Sequence, residues 1–301
     1  MTAALYGEPR ADVIDVPPAA RRFSPLIVGV EQLEEAPAES FAEFTVAAPP
    51  GVLERRYVLA HALRALAPGG ALTALAPKDL GGSRLRKELE AFGCEVVETA
   101  RRHHRICTAR RPDAPIGLDV AIAEGGPQMA PQLGLWSQPG VFSWDRLDPG
   151  TALIAPAVGQ LSGRGADFGC GVGVLAKAVL ASAKVETLAL IDIDARAIAA
   201  ARRNVTDPRA VFLQADLRAP IETLEKLDFV VMNPPFHMSG REDRSLGQAF
   251  IRRAAAALRR GGICRLVANV AMPYEQTLTE AFAEHRPIAH GGGYKLIEAR
   301  K

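Results

Sequence analysis

The sequence predicts an α/β fold made of two tandem domains with doubly wound, mostly parallel sheets. In the C-terminal half, short runs of β-branched and aromatic residues alternate with Ala-rich helical patterns, an order typical of parallel sheets. In the N-terminal half, "FTVAAPP" at 44–50 aligns without gaps on "FVVMNPP" at 229–235. A repeat of whole-domain length indicates duplication of an α/β unit.

The C-terminal half predicts strands interleaved with helices. "GADFGCGVGVLAKAVLA" gives a strand, a glycine turn and a helix that opens near Val174, and "VETLALIDIDARAIAAARRNV" repeats the strand and helix. The later segments are the strand "RAVFLQADL", the buried strand and turn "LDFVVMNPPF", the helix "GQAFIRRAAAALRRGG" stopped by Gly261 and Gly262, the strand "ICRLVAN" and the helix "TLTEAFAEH". Ligands of such sheets bind at the carboxyl ends of the strands, so the glycine turn and the NPPF turn are expected on one rim.

The N-terminal half repeats the later part of this pattern. "YVLAHALRALAPGGALTALAP" parallels "FIRRAAAALRRGGICRLVAN", and each predicts a helix that ends in Gly-Gly. The first copy has Ala48 where the second has Asn233, and it has no glycine-rich turn upstream, so it is expected to be chemically silent. "ARRPDAPIG" at 109–117 is typical of a linker, which predicts domains at 1–112 and 118–301.

Composition narrows the class of protein. The 301 residues are 48% hydrophobic with a net charge of +2, so a nucleic-acid partner would have to be bound by local basic patches. The N-terminus lacks the order of a signal peptide, and Lys177, Lys184 and Glu186 interrupt the most apolar stretch, so we expect no membrane span. Four scattered cysteines without zinc-ligand spacing favour reduced thiols, no metal and a cytoplasmic protein. They are Cys94, Cys107, Cys170 and Cys264.

Gly169, Gly171 and Gly173 stand at alternate positions after a predicted strand. Without Cβ atoms, the backbone N–H groups of such a turn can approach a ligand closely, although an ordinary tight turn would show the same residues. A dinucleotide fingerprint would place its third glycine at position 174, which is Val174 here. The pattern therefore disfavours NAD.

Two aspartates at strand ends are candidates for binding a nucleoside. Asp192 closes the second strand, where its carboxylate can accept hydrogen bonds from two ribose hydroxyls. Asp194 competes with it but also suits a helix N-cap. Asp216 follows the third strand and could accept from an adenine amino group, although a turn aspartate would look the same.

These residues, in this order, resemble the class I S-adenosylmethionine-dependent methyltransferases. "DFGCGVG" is similar to that family's first motif, "LALIDID" to its ribose-binding strand end, "LQADL" to its adenine-contacting segment and "NPPF" to its catalytic motif for nitrogen acceptors. His237 after Phe236, "QPGVFSWDRLDPGTALI" at 138–154 and "ANVAMPYEQTLTEAF" at 268–282 narrow the resemblance to the tandem-domain ribosomal RNA guanine-N2 methyltransferases, of the small-subunit methyltransferase C type and its large-subunit relative. The resemblance is good over the C-terminal two thirds and loose over the N-terminal half.

The resemblance implies two Rossmann-like methyltransferase domains, the first degenerate, with S-adenosylmethionine as the cofactor and ribosomal RNA or a ribosomal subunit as the partner. The residues it assigns to the cofactor are Asp167, Gly169, Gly171, Gly173, Asp192, Asp216 and Asn233. The residues it assigns to catalysis are Asn233, Pro234, Pro235, Phe236 and His237.

The NPPF turn suits that chemistry. Pro234 and Pro235 restrict the backbone, so the Asn233 oxygen and a nearby carbonyl can be held toward one point and grip an exocyclic NH₂. Phe236 offers a face on which an unstacked base can rest, with a burial role in the core as the alternative. His237 is expected to position the loop or the substrate, with a structural role equally open.

Basic clusters could form an RNA surface, although a solvated charged face is their commoner meaning. They comprise "SRLRK" at 83–87, "RRHHR" at 101–105, Arg110 and Arg111, and, nearer the turn, Arg241, Arg244, Arg252 and Arg253. "MSGREDRSLG" at 238–247 predicts a mobile loop with Gly240 and Gly247 as hinges. Methylation of adenine N6 or of a protein glutamine, an inactive RNA-binding assembly factor and an NAD dehydrogenase are the alternative functions, and a monomer is expected.

Overall fold

A computed structural model describes residues 2–235, 237–238, 241–242 and 244–301, and the side chains of 2–235 and 245–301. The chain divides into two compact units, the first ending at Pro127 and the second running from Gln128 to Lys301. Each unit is built on one main sheet with its own hydrophobic core.

The first unit contains six strands and three α-helices. In chain order they are β1 (Thr2–Tyr6), β2 (Arg21–Phe23), β3 (Phe41–Ala47), α1 (Val52–Ala65), β4 (Leu66–Pro77), α2 (Leu85–Glu90), β5 (Val96–Arg101), β6 (His104–Arg110) and α3 (Leu118–Gly125), with short 3-10 helices at Leu33–Glu35 and Gly82–Arg84. The sheet order is β2-β1-β3-β4-β6-β5. The first four strands are parallel and β6 is antiparallel to both of its neighbours. Phe23, Phe41 and Phe44 pack with ring centroids 5.9–6.0 Å apart in its core.

The second unit carries a seven-stranded sheet of order β11-β10-β9-β12-β15-β17-β16. Its elements are β7 (Gln128–Ala130), β8 (Leu135–Ser137), α4 (Pro149–Val158), β9 (Gly163–Phe168), α5 (Val174–Leu180), β10 (Val185–Asp192), α6 (Ala195–Asn204), β11 (Ala210–Gln214), β12 (Leu227–Met232), β13 (His237–Met238), β14 (Arg241–Glu242), α7 (Arg244–Ala257), β15 (Leu258–Asn269), α8 (Glu275–Ala281), β16 (Glu284–Gly291) and β17 (Tyr294–Arg300). Strands β11 to β15 of that order are parallel, and β17 is antiparallel to both neighbours.

Alternate residues of β12 show that this sheet is covered on both faces. Phe229 and Val231 belong to a cluster that contains residues of α4, α5 and α6, whereas Val230 and Met232 belong to one that contains residues of α7 and α8. Successive strand residues point to opposite faces, so both faces are buried. The predicted doubly wound, mostly parallel α/β fold is confirmed.

The Gly-Gly pairs lie elsewhere than predicted. Helices α1 and α7 end at Ala65 and Ala257, and both pairs fall inside the strands that follow, β4 and β15. Gly69 and Gly261 have φ of 72° and 76°, and the sheet register shifts at both places. The prediction that the glycines stop the helices was therefore wrong, because they form an outward irregularity in the strand, where a positive φ favours glycine.

The division between the units lies later in the chain than the linker predicted at 109–117. Helix α3 packs against α1 of the first unit, and its end approaches so closely that a Cβ on Gly125 would lie 2.4 Å from the Tyr57 Cβ. The segment from 118 to 127 therefore belongs with the first unit by packing.

Candidate functional site

The glycine turn connects β9 to α5 at the carboxyl end of the sheet. Gly169, Gly171 and Gly173 all have positive φ, at 72°, 52° and 89°. The N–H groups of Gly169 and Cys170 donate to the Ile191 carbonyl, at 2.8 and 3.0 Å, which ties the turn to β10. A Cβ on Gly173 would lie 2.9 Å from Val205 Cγ2, so only glycine suits this position.

Asp192 ends β10 directly beside the turn. Its two carboxylate oxygens accept hydrogen bonds from the backbone N–H groups of Gly171, at 2.9 Å, and Asp194, at 3.0 Å. Burial raises the pKa of Asp192 to about 6, although these backbone hydrogen bonds oppose the rise. Each oxygen can accept a further hydrogen bond, so the residue fits the predicted ribose role.

Asp167 is a fully buried carboxyl one residue before the end of β9. Neither of its oxygens has a hydrogen-bond partner among the described residues. Burial, and then the nearby Asp192 carboxylate, raise the pKa of Asp167 to about 8, and the Ala176 backbone opposes this rise. Perturbed carboxyl pairs of this kind are concentrated at functional sites, and a cationic ligand close by would favour the ionised forms.

Asn233 follows β12 and is held by two residues at the N-terminal end of α4. Its Nδ2 donates to Asp148 Oδ2 at 2.7 Å and to Thr151 Oγ1 at 3.0 Å. Pro234 is buried and Pro235 is half-buried. Phe236 lies outside the described residues, and His237 is described only through its backbone, which pairs with Glu242.

One pocket joins the glycine turn to Asn233. Residues of the turn, Asn233 and the segment before α4 line it, and they include Phe142, Arg146, Asp148, Thr151, Gly169 and Gly171. The pocket lies between the carboxyl ends of β9 and β12, where the chain reverses the direction in which it adds strands. This is the position at which open α/β sheets bind ligands. Backbone N–H groups, a ribose-competent carboxylate and a buried acid fit a cationic nucleoside.

The other predicted aspartates are engaged differently. Asp194 caps α6 and accepts from the Arg196 backbone N–H at 2.9 Å, so the N-cap interpretation is confirmed. Asp216 accepts from the Arg218 backbone N–H and guanidinium, and Arg218 lowers its pKa. This geometry is that of a turn aspartate, and the adenine contact of Asp216 stays a prediction.

Asp148 and Thr151 were not predicted as site residues. Asp148 is the N-cap of α4 and accepts from the Thr151 backbone N–H at 2.8 Å. The segment "LDPGT" shows an Asp followed by a proline at the first helical position, which is a helix-start signal. Only the fold brings this cap to Asn233, so its second role had no local sequence signal.

The predicted basic clusters are partly neutralised. Arg102 pairs with Asp12, Arg105 with Glu98 and Arg86 with Glu90, and Arg111 is buried against Glu39. Arg84 and Lys87 are exposed, as is Arg252. The side chains of Arg241 and Arg244 lie outside the described set.

The four cysteines are buried free thiols. Gly247 lies inside α7, where a Cβ would lie 1.9 Å from the Tyr274 hydroxyl, so close packing rather than a hinge accounts for it. Within the described ranges, no group of His, Cys, Asp or Glu has a metal-binding arrangement. No described helix has both the length and the apolar character to cross a membrane.

Comparisons with known proteins agree with this geometry. The family model described as "Methyltransferase small domain" matches residues 132–298. "Ribosomal RNA small subunit methyltransferase C" of Pseudomonas aeruginosa (strain LESB58) is 35% identical over 256 residues, covering 81% of this chain and 75% of the relative. The protein of the same name from Shewanella loihica is 32% identical, covering 81% and 73%.

A solved structure is similar over the whole chain. It is the T. thermophilus "16S rRNA N2 G1207 methyltransferase" in complex with AdoMet and guanosine, with a TM-score of 0.80, 23% identity, and coverage of 100% of this chain and 88% of that chain. At this identity the likeness concerns the fold, which is confirmed as a two-domain methyltransferase fold. The chain belongs to the methyltransferase small domain family and, within it, to the ribosomal RNA small subunit methyltransferases C.

Proposed function

We propose that the chain methylates the N2 atom of a guanine in ribosomal RNA, small-subunit RNA being favoured, with S-adenosylmethionine as the methyl donor. The observation that carries the proposal is the orientation of Asn233. Its NH₂ group is taken by Asp148 and Thr151, so its oxygen is left as an acceptor in a pocket shared with the glycine turn. The names of the curated relatives support the RNA substrate.

The cofactor supplies a methyl group on a positively charged sulfur when bound. Gly169, Gly171 and Gly173 would let the backbone approach it, and Asp192 would accept hydrogen bonds from its ribose. Burial raises the pKa of Asp167 beside the turn, and the positive charge of a bound cofactor would lower it and favour the carboxylate. Asp216 is proposed for the adenine amino group.

The substrate amine is oriented by the turn after β12. The Asn233 oxygen accepts a hydrogen bond from the guanine NH₂, and the buried Pro234 holds this turn rigid. Alignment of the amine is the main contribution of the protein, and no strong general base is required because the methylated nitrogen loses its proton readily. Phe236 and His237 are proposed to stack on the base and to position it.

The first unit is proposed to dock the RNA. Arg84 and Lys87 are exposed there and can contact phosphates. We further propose a cytoplasmic monomer, since ribosomal RNA is the substrate and the edge strand β16 carries Pro287 and charged residues that discourage edge-to-edge pairing. Replacing Arg84 and Lys87 with Ala should raise KM for RNA while leaving kcat intact.

The test is transfer of labelled methyl from S-adenosylmethionine into ribosomal subunits, total RNA, DNA and protein in parallel. We expect label in N2-methylguanosine from ribosomal RNA. Asn233→Ala should lower kcat at least about 100-fold while cofactor binding persists, and Asn269→Ala, at the end of the neighbouring strand, is the matched control. Label in adenine or protein would overturn the substrate, and cofactor binding without transfer would favour an assembly factor.

A further inference from the structure

Asn233 is held by the first turn of a helix that lies more than 80 residues earlier in the chain, as the separations of 85 and 82 residues show. Asp148 Oδ2 accepts both from Asn233 Nδ2 at 2.7 Å and from the Thr151 backbone N–H at 2.8 Å. Thr151 Oγ1 accepts from the same Nδ2 at 3.0 Å. Asp148 and Thr151 are 8% and 9% exposed, so water competes little for these hydrogen bonds.

Chemistry alone fixes which end of the Asn233 amide faces this pair. A carboxylate only accepts hydrogen bonds, so the group 2.7 Å from Asp148 must be the NH₂ end. The oxygen must then face away from Asp148. Because the Thr151 N–H needs the same carboxylate oxygen as its acceptor, Asp148 cannot turn without leaving a helix N–H unpaired.

We propose that Asp148 and Thr151 are positioning residues, which act through Asn233 by setting its oxygen, and not its NH₂ group, toward the substrate amine. The proposal rests on the function proposed above. The N-cap of α4 thus helps to select the substrate. The nitrogen that receives the methyl group must belong to an NH₂ group, which can donate a hydrogen bond to the Asn233 oxygen. Gly150 keeps the cap compact, since a Cβ there would lie 2.9 Å from Asp148 Oδ2 and 3.0 Å from the Tyr294 ring.

The decisive experiment compares removal of the Asp148 side chain with its conservative replacement. In Asp148→Ala, the Asn233 NH₂ group keeps only Thr151 Oγ1 as an acceptor, so the amide can turn its NH₂ toward the pocket. The kcat should then fall at least about tenfold with little change in the Kd for S-adenosylmethionine. In Asn233→Asp, two carboxylates face each other, and kcat should fall similarly.

Asp148→Asn should retain activity. A single oxygen, Asp148 Oδ2, accepts from both Asn233 and the Thr151 N–H, so an amide oxygen in its place can accept from both, and kcat should stay within about threefold of wild type. Thr151→Val, which removes one of the two acceptors, should have a smaller effect. Asp207→Asn is the control, because Asp207 also accepts a backbone N–H, from Arg209 at 2.9 Å, but contributes nothing to the pocket.

Thermal unfolding of wild type, Asp148→Ala, Asn233→Ala and the double variant with both changes tests the pairing without any substrate. The double variant should lose at least about 2 °C less in melting temperature than the sum of the two single losses, because both single variants remove the same hydrogen bond. Additive losses, Asp148→Ala with wild-type kcat, or Asp148→Asn with a kcat as low as that of Asp148→Ala, would overturn the proposal. If wild type transfers no methyl group at all, the proposed function fails, and the melting cycle still decides whether the pair holds Asn233.

Discussion

Helix α1 of the first unit and helix α7 of the second are both 14 residues long, and each runs directly into a strand of 12 residues. At the fourth position of these helices stand Arg55 and Gly247. The Arg55 guanidinium is fully buried and packs on Gly81, and Gly247 packs on Tyr274. In the first unit the large residue of the packed pair lies on the helix and the small one follows the strand, whereas in the second unit the small residue lies on the helix and the large one follows the strand.

The exchange of large and small residues gives a physical cause for the predicted silence of the turn in the first unit. Arg55 donates to the carbonyls of Pro49 and Pro50 and makes a two-pronged ion pair with Glu88. These prolines correspond to Pro234 and Pro235 in the aligned turns. In the first unit, the Arg55 guanidinium thus occupies the backbone acceptors of the turn. Ala48 provides no side-chain amide there.

The two units also differ at the ends of strands β1 and β9. "ALYG" at 4–7 matches "ADFG" at 166–169, and the glycines that follow the two strands share positive φ, 75° for Gly7 and 72° for Gly169. Leu5 stands where the second unit has Asp167, and both are buried. The frame is common to both units, whereas the buried acid and the two later glycines occur only in the second unit.

The largest effect is expected from Arg55→Ala. It leaves the largely buried Glu88 carboxylate and two proline carbonyls without their partner, which should cost about 3–5 kcal/mol of unfolding free energy. Arg86→Ala, which removes an exposed i,i+4 pair with Glu90 on the neighbouring helix, should change little. Denaturant unfolding measures both. A small loss for Arg55→Ala would mean that the ion pair does not support the first unit.

Asp167→Asn should show that the buried acid destabilises the ligand-free chain. A pKa raised to about 8, from an unfolded value near 4, means that the folded chain holds a proton which the unfolded chain releases. Wild-type stability from this group is therefore greatest at low pH and is lost as pH rises through about 8. The free energy of unfolding of the variant, relative to wild type, should grow by up to about 1.4 kcal/mol per pH unit between about pH 4 and about pH 8.

Melting temperatures from pH 5 to 9, with and without S-adenosylmethionine, measure this effect. The variant should gain stability without the cofactor and bind the cofactor more weakly. Leu5→Ala in the first unit is the comparison, since it alters packing with no ionisable group and its effect should not vary with pH. A pH-independent difference for Asp167→Asn would refute the role of its charge.

Gly171→Ala and Gly7→Ala compare two glycines with positive φ, at 52° and 75°. Each substitution should cost about 1–2 kcal/mol in backbone strain. Only Gly171→Ala should also weaken cofactor binding, by about tenfold, because relief of the strain at φ 52° would shift the backbone N–H that donates to Asp192 inside the turn. Calorimetric titration separates the two. Equal cofactor Kd values for wild type and Gly171→Ala would show that the backbone of the turn does not set the affinity for the cofactor.

The sequence predicted the frame better than the site. Strand and helix periodicity and the aligned Pro-Pro turns sufficed for two α/β units with mostly parallel sheets, because these signals are local. The role of Asp148 could not be predicted, since its contact with Asn233 joins residues 85 positions apart. The Gly-Gly pairs were misplaced because a strand irregularity and a helix end both use a glycine with positive φ.

The smallest effect is expected from Ala48→Asn, which restores the missing amide of the first unit. Ala48 is 8% exposed, so the change should lower stability modestly, and methyl transfer should not change. Combined with Asn233→Ala, it should not rescue activity, and calorimetry should still give one cofactor per chain. The reason is that Arg55 continues to occupy the Pro49 and Pro50 carbonyls and that no glycine turn follows Gly7. Rescue would mean that the amide alone separates a silent unit from an active one, whereas its failure assigns the difference to the turn, the buried acid and the Arg55 ion pair together.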